Sequence, residues 1–325
     1  MGKKSRVKAA GRTALLDAAP ADIPVVGGRE PCPCGSGRRY KACHGQIVPA
    51  GSARPTTRPF EGLPGECDWV AMREIVPAAT ATVRLLTGQP VPEVTITTVL
   101  PMAWPAMHRA DGTVFVGLQT TVVSGDPSLD VGRALRAAIE TEPGNPVPDL
   151  APLRPGQVGS RLQDLVDPDG DFEVTMHDGF DFWMDAAAEL SAEVRESLER
   201  ANSAVVPTVR LSSVRAGYWC QIGERRHLRW VLPDPEDGLL DGIARLHAAG
   251  ASAVLPGSRY IGAFRAHGLM VPLWDLAADT EAAALEQPVA AYARRLAEAI
   301  ADVSPLTPLQ RQARAGVVSR QLTLR

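Results

Sequence analysis

Short runs of alternating or β-branched apolar residues recur along this chain of 325 residues: Thr82 to Leu86, Val94 to Leu100, Thr113 to Val116, Phe172 to Thr175, Val206 to Leu211 and Trp230 to Leu232. A period of two over four to seven residues predicts strands. Between the runs, apolar residues return at helical spacing, and several helices carry explicit start signals. Asp126-Pro127 and Asp234-Pro235 each place an N-cap ahead of a proline at the first helical position. Thr307-Pro308-Leu309-Gln310 adds a capping box for a helix expected to stop at Gly316. From Gln287 to Asp302, Val289, Tyr292, Leu296 and Ile300 form one buried stripe. The pattern predicts an α+β fold, mixed, with many short strands and helices.

The pattern also sets the domain plan. Residues 1–28 show almost no apolar periodicity and read as a disordered basic tail. Residues 47–57, with Pro49, Gly51, Ser52 and Pro55, read as a linker, which leaves 29–46 as a small separate element and 58–325 as the body. Inside the body Thr82-Val83-Arg84-Leu85 recurs as Thr208-Val209-Arg210-Leu211. Trp104 then finds Trp219, and Val131, Leu135 and Ala138 find Leu239, Ile243 and Leu246. This order fits a two-half pseudo-repeat, 58–150 and 160–303, or convergent use of the same strand-turn-helix grammar.

Composition narrows the class. With 45% hydrophobic and 22% charged residues the chain is ordinary globular protein, neither collagenous nor coiled coil. No apolar stretch approaches 18 residues, and the basic start reaches only Ala14-Leu15-Leu16 before Asp17, so the expectation is a cytoplasmic protein without membrane insertion. The net charge of −3 conceals an asymmetry. Residues 1–60 carry 11 basic and three acidic groups, a balance of +8; the remaining 23 basic and 34 acidic groups give −11. A basic arm on an acidic body suits an anionic partner such as RNA, because neutralised phosphates release counterions; the plainer reading is a solubilising tail. Residues 303–325, free of acids, form a second basic stretch.

Three of the five cysteines fall within twelve residues, in Pro31-Cys32-Pro33-Cys34-Gly35-Ser36-Gly37-Arg38-Arg39-Tyr40-Lys41-Ala42-Cys43-His44-Gly45. Cys32, Cys34, Cys43 and His44 offer three thiolates and one imidazole, the donor set of a closed tetrahedral structural zinc site. One zinc ion with three thiolates and a neutral histidine sums to −1, which Arg38, Arg39 and Lys41 offset while presenting cations to a partner. Gly35-Ser36-Gly37 permits positive φ and aims amide groups at the preceding thiolates.

This segment resembles the SEC-C motif, the zinc-binding element at the C-terminal end of the SecA preprotein translocase ATPase. The resemblance implies Cys32, Cys34, Cys43 and His44 as ligands of a zinc knuckle over 29–46, with Gly35, Ser36, Gly37, Tyr40, Lys41 and Gly45 at the family's positions. In SecA the element docks on the export chaperone SecB and on the ribosome; here it precedes a different body. Arg58-Pro59-Phe60-Glu61-Gly62-Leu63-Pro64-Gly65-Glu66-Cys67-Asp68-Trp69, Phe264-Arg265-Ala266-His267-Gly268-Leu269 and Gln321-Leu322-Thr323-Leu324 resemble an actinobacterial family of unknown function. That resemblance transfers no catalytic residue.

The body carries no familiar catalytic motif. A phosphate-binding loop ending in Gly-Lys-Ser/Thr needs a lysine, and none lies beyond Lys41. Asp167-Pro168-Asp169-Gly170-Asp171 spaces carboxylates as a calcium loop does, yet Phe172 stands where the turn glycine belongs, so a solvated turn is the expectation. Cys67 and Cys220 sit beside Trp69 and Trp219 and read as buried packing rather than nucleophiles. His267, flanked by Gly268, is the histidine best placed for chemistry if a carboxylate converges on it. Two functions stay open: a zinc-binding adaptor that docks on a protein or ribosomal partner, with non-specific RNA contact through the arm, or an enzyme in the body with the knuckle as localisation element.

Overall fold

A computed structural model describes residue 30 and residues 56–86, 92–120, 124–153, 159–183 and 191–319. The chain divides into two units, Met1–Ser52 and Ala53–Arg325, and all the described helices and strands belong to the second. It is α+β, as its patterning predicts: six helices and eleven strands in two sheets among the described residues.

The first sheet holds β1 (Ala79–Val83), β2 (Val94–Thr97), β3 (Ala106–His108), β4 (Val114–Gly117), β5 (Asn145–Pro146) and β6 (Thr175–Met176), in the order β5-β3-β4-β2-β1-β6. Only β2 and β4 run parallel. The second sheet holds β7 (Thr208–Arg210), β8 (Gly217–Ile222), β9 (Arg225–Trp230), β10 (Arg259–Ala266) and β11 (Leu269–Leu276), ordered β10-β11-β9-β8-β7 and antiparallel throughout.

Helix α1 (Glu66–Glu74) and α2 (Pro127–Glu140) contribute to one core with the first sheet and one face of the second. Trp69, Met72, Ile96, Val116 and Leu135 meet Tyr218, Phe264, Val271 and Leu273 there. The opposite face of the second sheet buries Trp219, Leu228, Trp230 and Trp274 against α4 (Glu236–Ala248), α5 (Glu286–Ala301) and Val317 of α6 (Pro308–Ser319). A smaller cluster on the outer face of the first sheet joins Phe115, Phe180 and Trp183 to Leu198 of α3 (Ala192–Ser203). The two sheets therefore share a core rather than forming separate halves.

Several details depart from the sequence pattern. Asp126 caps α2 as expected, accepting from the Ser128 amide, but Asp234 does not cap α4; Pro235 itself is the N-cap and no side chain bonds there. The capping box at Thr307 and Gln310 is formed in both directions, at 2.8 and 3.3 Å, yet the helix runs through Gly316 to Ser319. Of Phe172 to Thr175 only Thr175 joins a strand, while Phe172 stacks on Trp69 with centroids 4.2 Å apart. The second sheet is far larger than its two sequence signals. Strand β9, Arg-Arg-His-Leu-Arg-Trp, alternates only from His227 to Trp230, because Arg226 stands on the face that Leu228 and Trp230 bury. Helix, strands and helix follow one another in both stretches, but the parallel β2–β4 pair has no counterpart in the second sheet.

Candidate functional site

Helix α1 links the two sheets, and its local sequence explains how. Gly65 precedes it with φ +68°, and a Cβ there would lie 3.2 Å from that of Phe172. Cys67, Trp69, Val70, Ala71 and Met72 are all buried, so the helix is enclosed on most sides. That enclosure takes in one carboxylate. Asp68, 1% exposed, accepts from Arg210 Nη2 at 3.4 Å and from the Tyr218 hydroxyl at 3.3 Å, and lies 4.0 Å from Arg215 Nε. Burial raises the Asp68 carboxyl above its ordinary range, and the two arginines pull the other way without overcoming it. The Tyr218 hydroxyl is pushed up by the same burial, then by the Asp68 charge. With Asp68 and Tyr218 buried and the two arginines reaching them from the solvent side, the cluster braces α1 against β7–β8.

At the other end of α1 lies the convergence that the sequence left open. His267 Nε2 is 2.7 Å from Glu74 Oε1, and Arg73 Nε is 3.6 Å from the same oxygen. The hairpin β10–β11 makes this possible. His267 and Gly268 both have positive φ, 47° and 82°, the backbone that a two-residue type I′ turn requires. A side chain on Gly268 would meet the Thr57 carbonyl oxygen at 2.6 Å, so the turn is pressed against the chain entering the body. His267 packs edge-on against Phe60, 5.4 Å between centroids. Its side chain is 17% exposed and that of Glu74 32%, so solvent reaches the pair. Arg73 is committed elsewhere: its guanidinium donates to the Leu118 and Thr120 carbonyls.

The entering chain is held by side chains from the α2 side of the body. Arg161 and Gln163 both donate to the Pro59 carbonyl, at 3.0 and 2.7 Å, and Arg161 also meets Asp126 at 2.8 Å. The start of α2 is thereby filled by protein groups. Gly132 is required there, since a Cβ would lie 2.4 Å from the Ser160 carbonyl oxygen.

The remaining body candidates resolve into structure. Cys67 is buried, and desolvation with the neighbouring Glu66 and Asp68 charges pushes its thiol up to about 12, the reverse of an activated nucleophile. Cys220 is buried and raised likewise. Asp167 is a turn residue, bonded to Arg84 at 2.7 Å and to the Asp169 amide at 2.9 Å, as the solvated-turn reading expects. His108 bonds the Thr141 carbonyl, His177 the Thr80 hydroxyl and His247 the Ser252 hydroxyl. Among the described residues no three His, Cys, Asp or Glu side chains are arranged to hold a metal ion, and no helix is long and apolar enough to cross a membrane. Cys32, Cys34, Cys43 and His44, with Arg38, Arg39 and Lys41, lie outside the described residues.

Sequence reasoning missed Asp68, Arg210, Arg215, Tyr218 and Glu74. An aspartate set between Cys67 and Trp69, inside the apolar run of a helix whose other charges lie at its ends, is a signal that could have been read. Its partners could not, because they depend on the register that sets Arg210 opposite Tyr218.

The architecture is thus an α+β body preceded by a short cysteine-rich segment, and comparison with known proteins divides at the same place. Residues 29–46 match the SEC-C motif. Over this stretch the chain is similar to the protein translocase subunit SecA of Paraburkholderia phytofirmans, 53% identical over 36 residues, which is 11% of this chain and 4% of that protein. The SecA of Bordetella pertussis is 68% identical over 26 residues, 8% of this chain and 3% of that protein. The chain therefore spans only a small fraction of the curated relatives it matches. The body gives the wider result: the model of DUF5926, a family of unknown function, matches residues 59–325, and the chain belongs to that family. No solved structure matches it.

Proposed function

We propose that this protein is a zinc-dependent adaptor in the cytoplasm, in which the SEC-C segment docks on a partner and carries the DUF5926 body to it. The observation that carries the reading is the SEC-C match over 29–46, joined to a body from a different family. Cys32, Cys34, Cys43 and His44 would hold one zinc ion; three thiolates and an imidazole are a full tetrahedral set, so the ion would be structural. Without it so short a segment has no core to fold around. Arg38, Arg39 and Lys41 would face the partner, a protein or the ribosome, with the basic arm adding non-specific contact to RNA. The test is metal analysis and affinity capture with the full chain and its C32S/C43S variant. The reading requires one zinc in the first, none in the second, and loss of the partner with the metal.

A second reading places an enzyme in the body and leaves the knuckle to localise it. It is favoured by one observation, the contact of His267 with Glu74 at 2.7 Å in a partly exposed position. Under it, a small molecule retained by the native protein would be lost from H267N.

A further inference from the structure

One face of the second sheet changes character along its length. Near the β10–β11 turn it is apolar, with Phe264, Val271, Leu273 and Tyr218 in the core shared with α1. Beyond Tyr218 the same face becomes cationic. Residues directly opposite in an antiparallel ladder share a face, and the register aligns Arg210, Tyr218, Arg229 and Leu273 in one row. The next row is Thr208, Cys220, His227, Asp275 and Arg259, and Ile222 opposite Arg225 follows.

The carboxylates here are few and most of them are occupied. Asp68 takes Arg210 and Arg215, Asp275 meets His227 and Arg259 at 3.4 Å, and Glu224 lies exposed in the β8–β9 turn. Arg225 and Arg229 have no carboxylate partner among the described residues, and Arg229 Nε is buried without a hydrogen bond. Glu281 pairs with Arg226, on the opposite face. A buried donor left unmade is costly, and a cationic strip on a body whose residues 61–325 sum to −11 is a local reversal of field.

We propose that this half of the sheet face is a docking surface for the phosphate backbone of single-stranded RNA, with Arg225 and Arg229 as its phosphate contacts and His227 between them. Charge complementarity selects an anion, and the layout selects a chain of phosphates over a single one. The two arginines stand four residues apart along β9, about 13 Å, with His227, its imidazole held below the ordinary range by burial, between them and Arg259 to one side, rather than converging on a point. Tyr218 carries the only phenyl or indole ring in these rows and is fully buried, so bases have no platform to stack on and the contact is independent of sequence. This surface goes beyond the adaptor reading and does not depend on the zinc segment.

The test is fluorescence anisotropy of the full chain with a uridine homopolymer of about 20 nucleotides across a salt series. R225Q/R229Q is compared with wild type and with R195Q/R200Q, which removes the same charge from exposed positions on α3. The zinc ligands stay intact throughout, and thermal unfolding checks each fold. The single exposed variant R225Q stands in if the double variant is unstable. The expected result is several-fold weaker binding by R225Q/R229Q alone, with a log affinity against log salt slope smaller by about 1.4, roughly 0.7 for each lost phosphate contact on a single strand. Equal affinity and slope in wild type and R225Q/R229Q would overturn the proposal, as would equal losses in both double variants. Affinity independent of RNA length would also overturn it, pointing to a small phosphorylated ligand instead.

Discussion

The SEC-C segment and the DUF5926 body concentrate their chemistry in opposite ways. In the segment, the four proposed donor side chains fall within 13 residues, Cys32 to His44, inside the stretch that matches the SEC-C motif. In the body, groups that meet in space are far apart in sequence: Glu74 and His267 are separated by 193 positions, Asp68 and Tyr218 by 150. A site organised by a metal can be local, because the ion replaces the missing core. One organised by packing needs the fold first.

That contrast makes the two regions separable by experiment, and the largest effect belongs to the segment. C32S/C43S should reduce bound zinc from one per chain to none, measured by metal analysis, while the thermal unfolding of the body stays unchanged. A matching loss of body stability would break the division between the regions. The converse change is Trp274→Ala, which empties a fully buried position where the indole donates to the Ser252 carbonyl at 2.8 Å and lies edge-on to Tyr260 and Tyr292. It should cost about 4 kcal/mol in denaturant unfolding and leave zinc content intact.

Asp68→Ala should cost about 3 kcal/mol, since it strands Arg210 and Tyr218 at a buried position. Asp68→Asn sharpens the reading through pH. Burial raises the folded-state value of this carboxyl, so the folded protein holds the proton more tightly than the unfolded chain does. The contribution of Asp68 to stability is therefore greatest below the ordinary aspartate range and falls as pH rises through it toward the folded value. In D68N that part of the stability-pH profile should flatten.

The smallest effect is expected at the pair most suggestive of chemistry. His267→Asn retains a residue tolerant of positive φ and removes the contact with Glu74; between partly exposed groups the loss should be about 0.5 kcal/mol. A loss several times larger would recast His267 as a structural clamp.

Much of the fold was legible in the sequence, and the exceptions share a physical cause. Strands β2 and β4 and helices α2, α5 and α6 show themselves because β2 and the helices each have one apolar face and β4 is apolar on both. Strand β9 was hidden by its arginines, and the β10–β11 turn by the use of His-Gly where Asn-Gly would have announced it. At the candidate sites, His267 could be singled out as a residue, but its carboxylate partner could not, because the two meet only when the hairpin folds onto the end of α1. The cationic rows have the same origin: Arg210 and Arg229 come to flank Tyr218 through register alone.

Zinc-dependent docking is the central claim, and its most direct test is capture from native cytosol with the full chain and its C32S/C43S variant as paired baits, with metal content measured on both. The account predicts one zinc and a specific, salt-sensitive protein or ribosomal partner on the wild-type bait, with both absent from the variant. Recovery of the same partners by both baits, or a wild-type chain that holds no zinc, would contradict it.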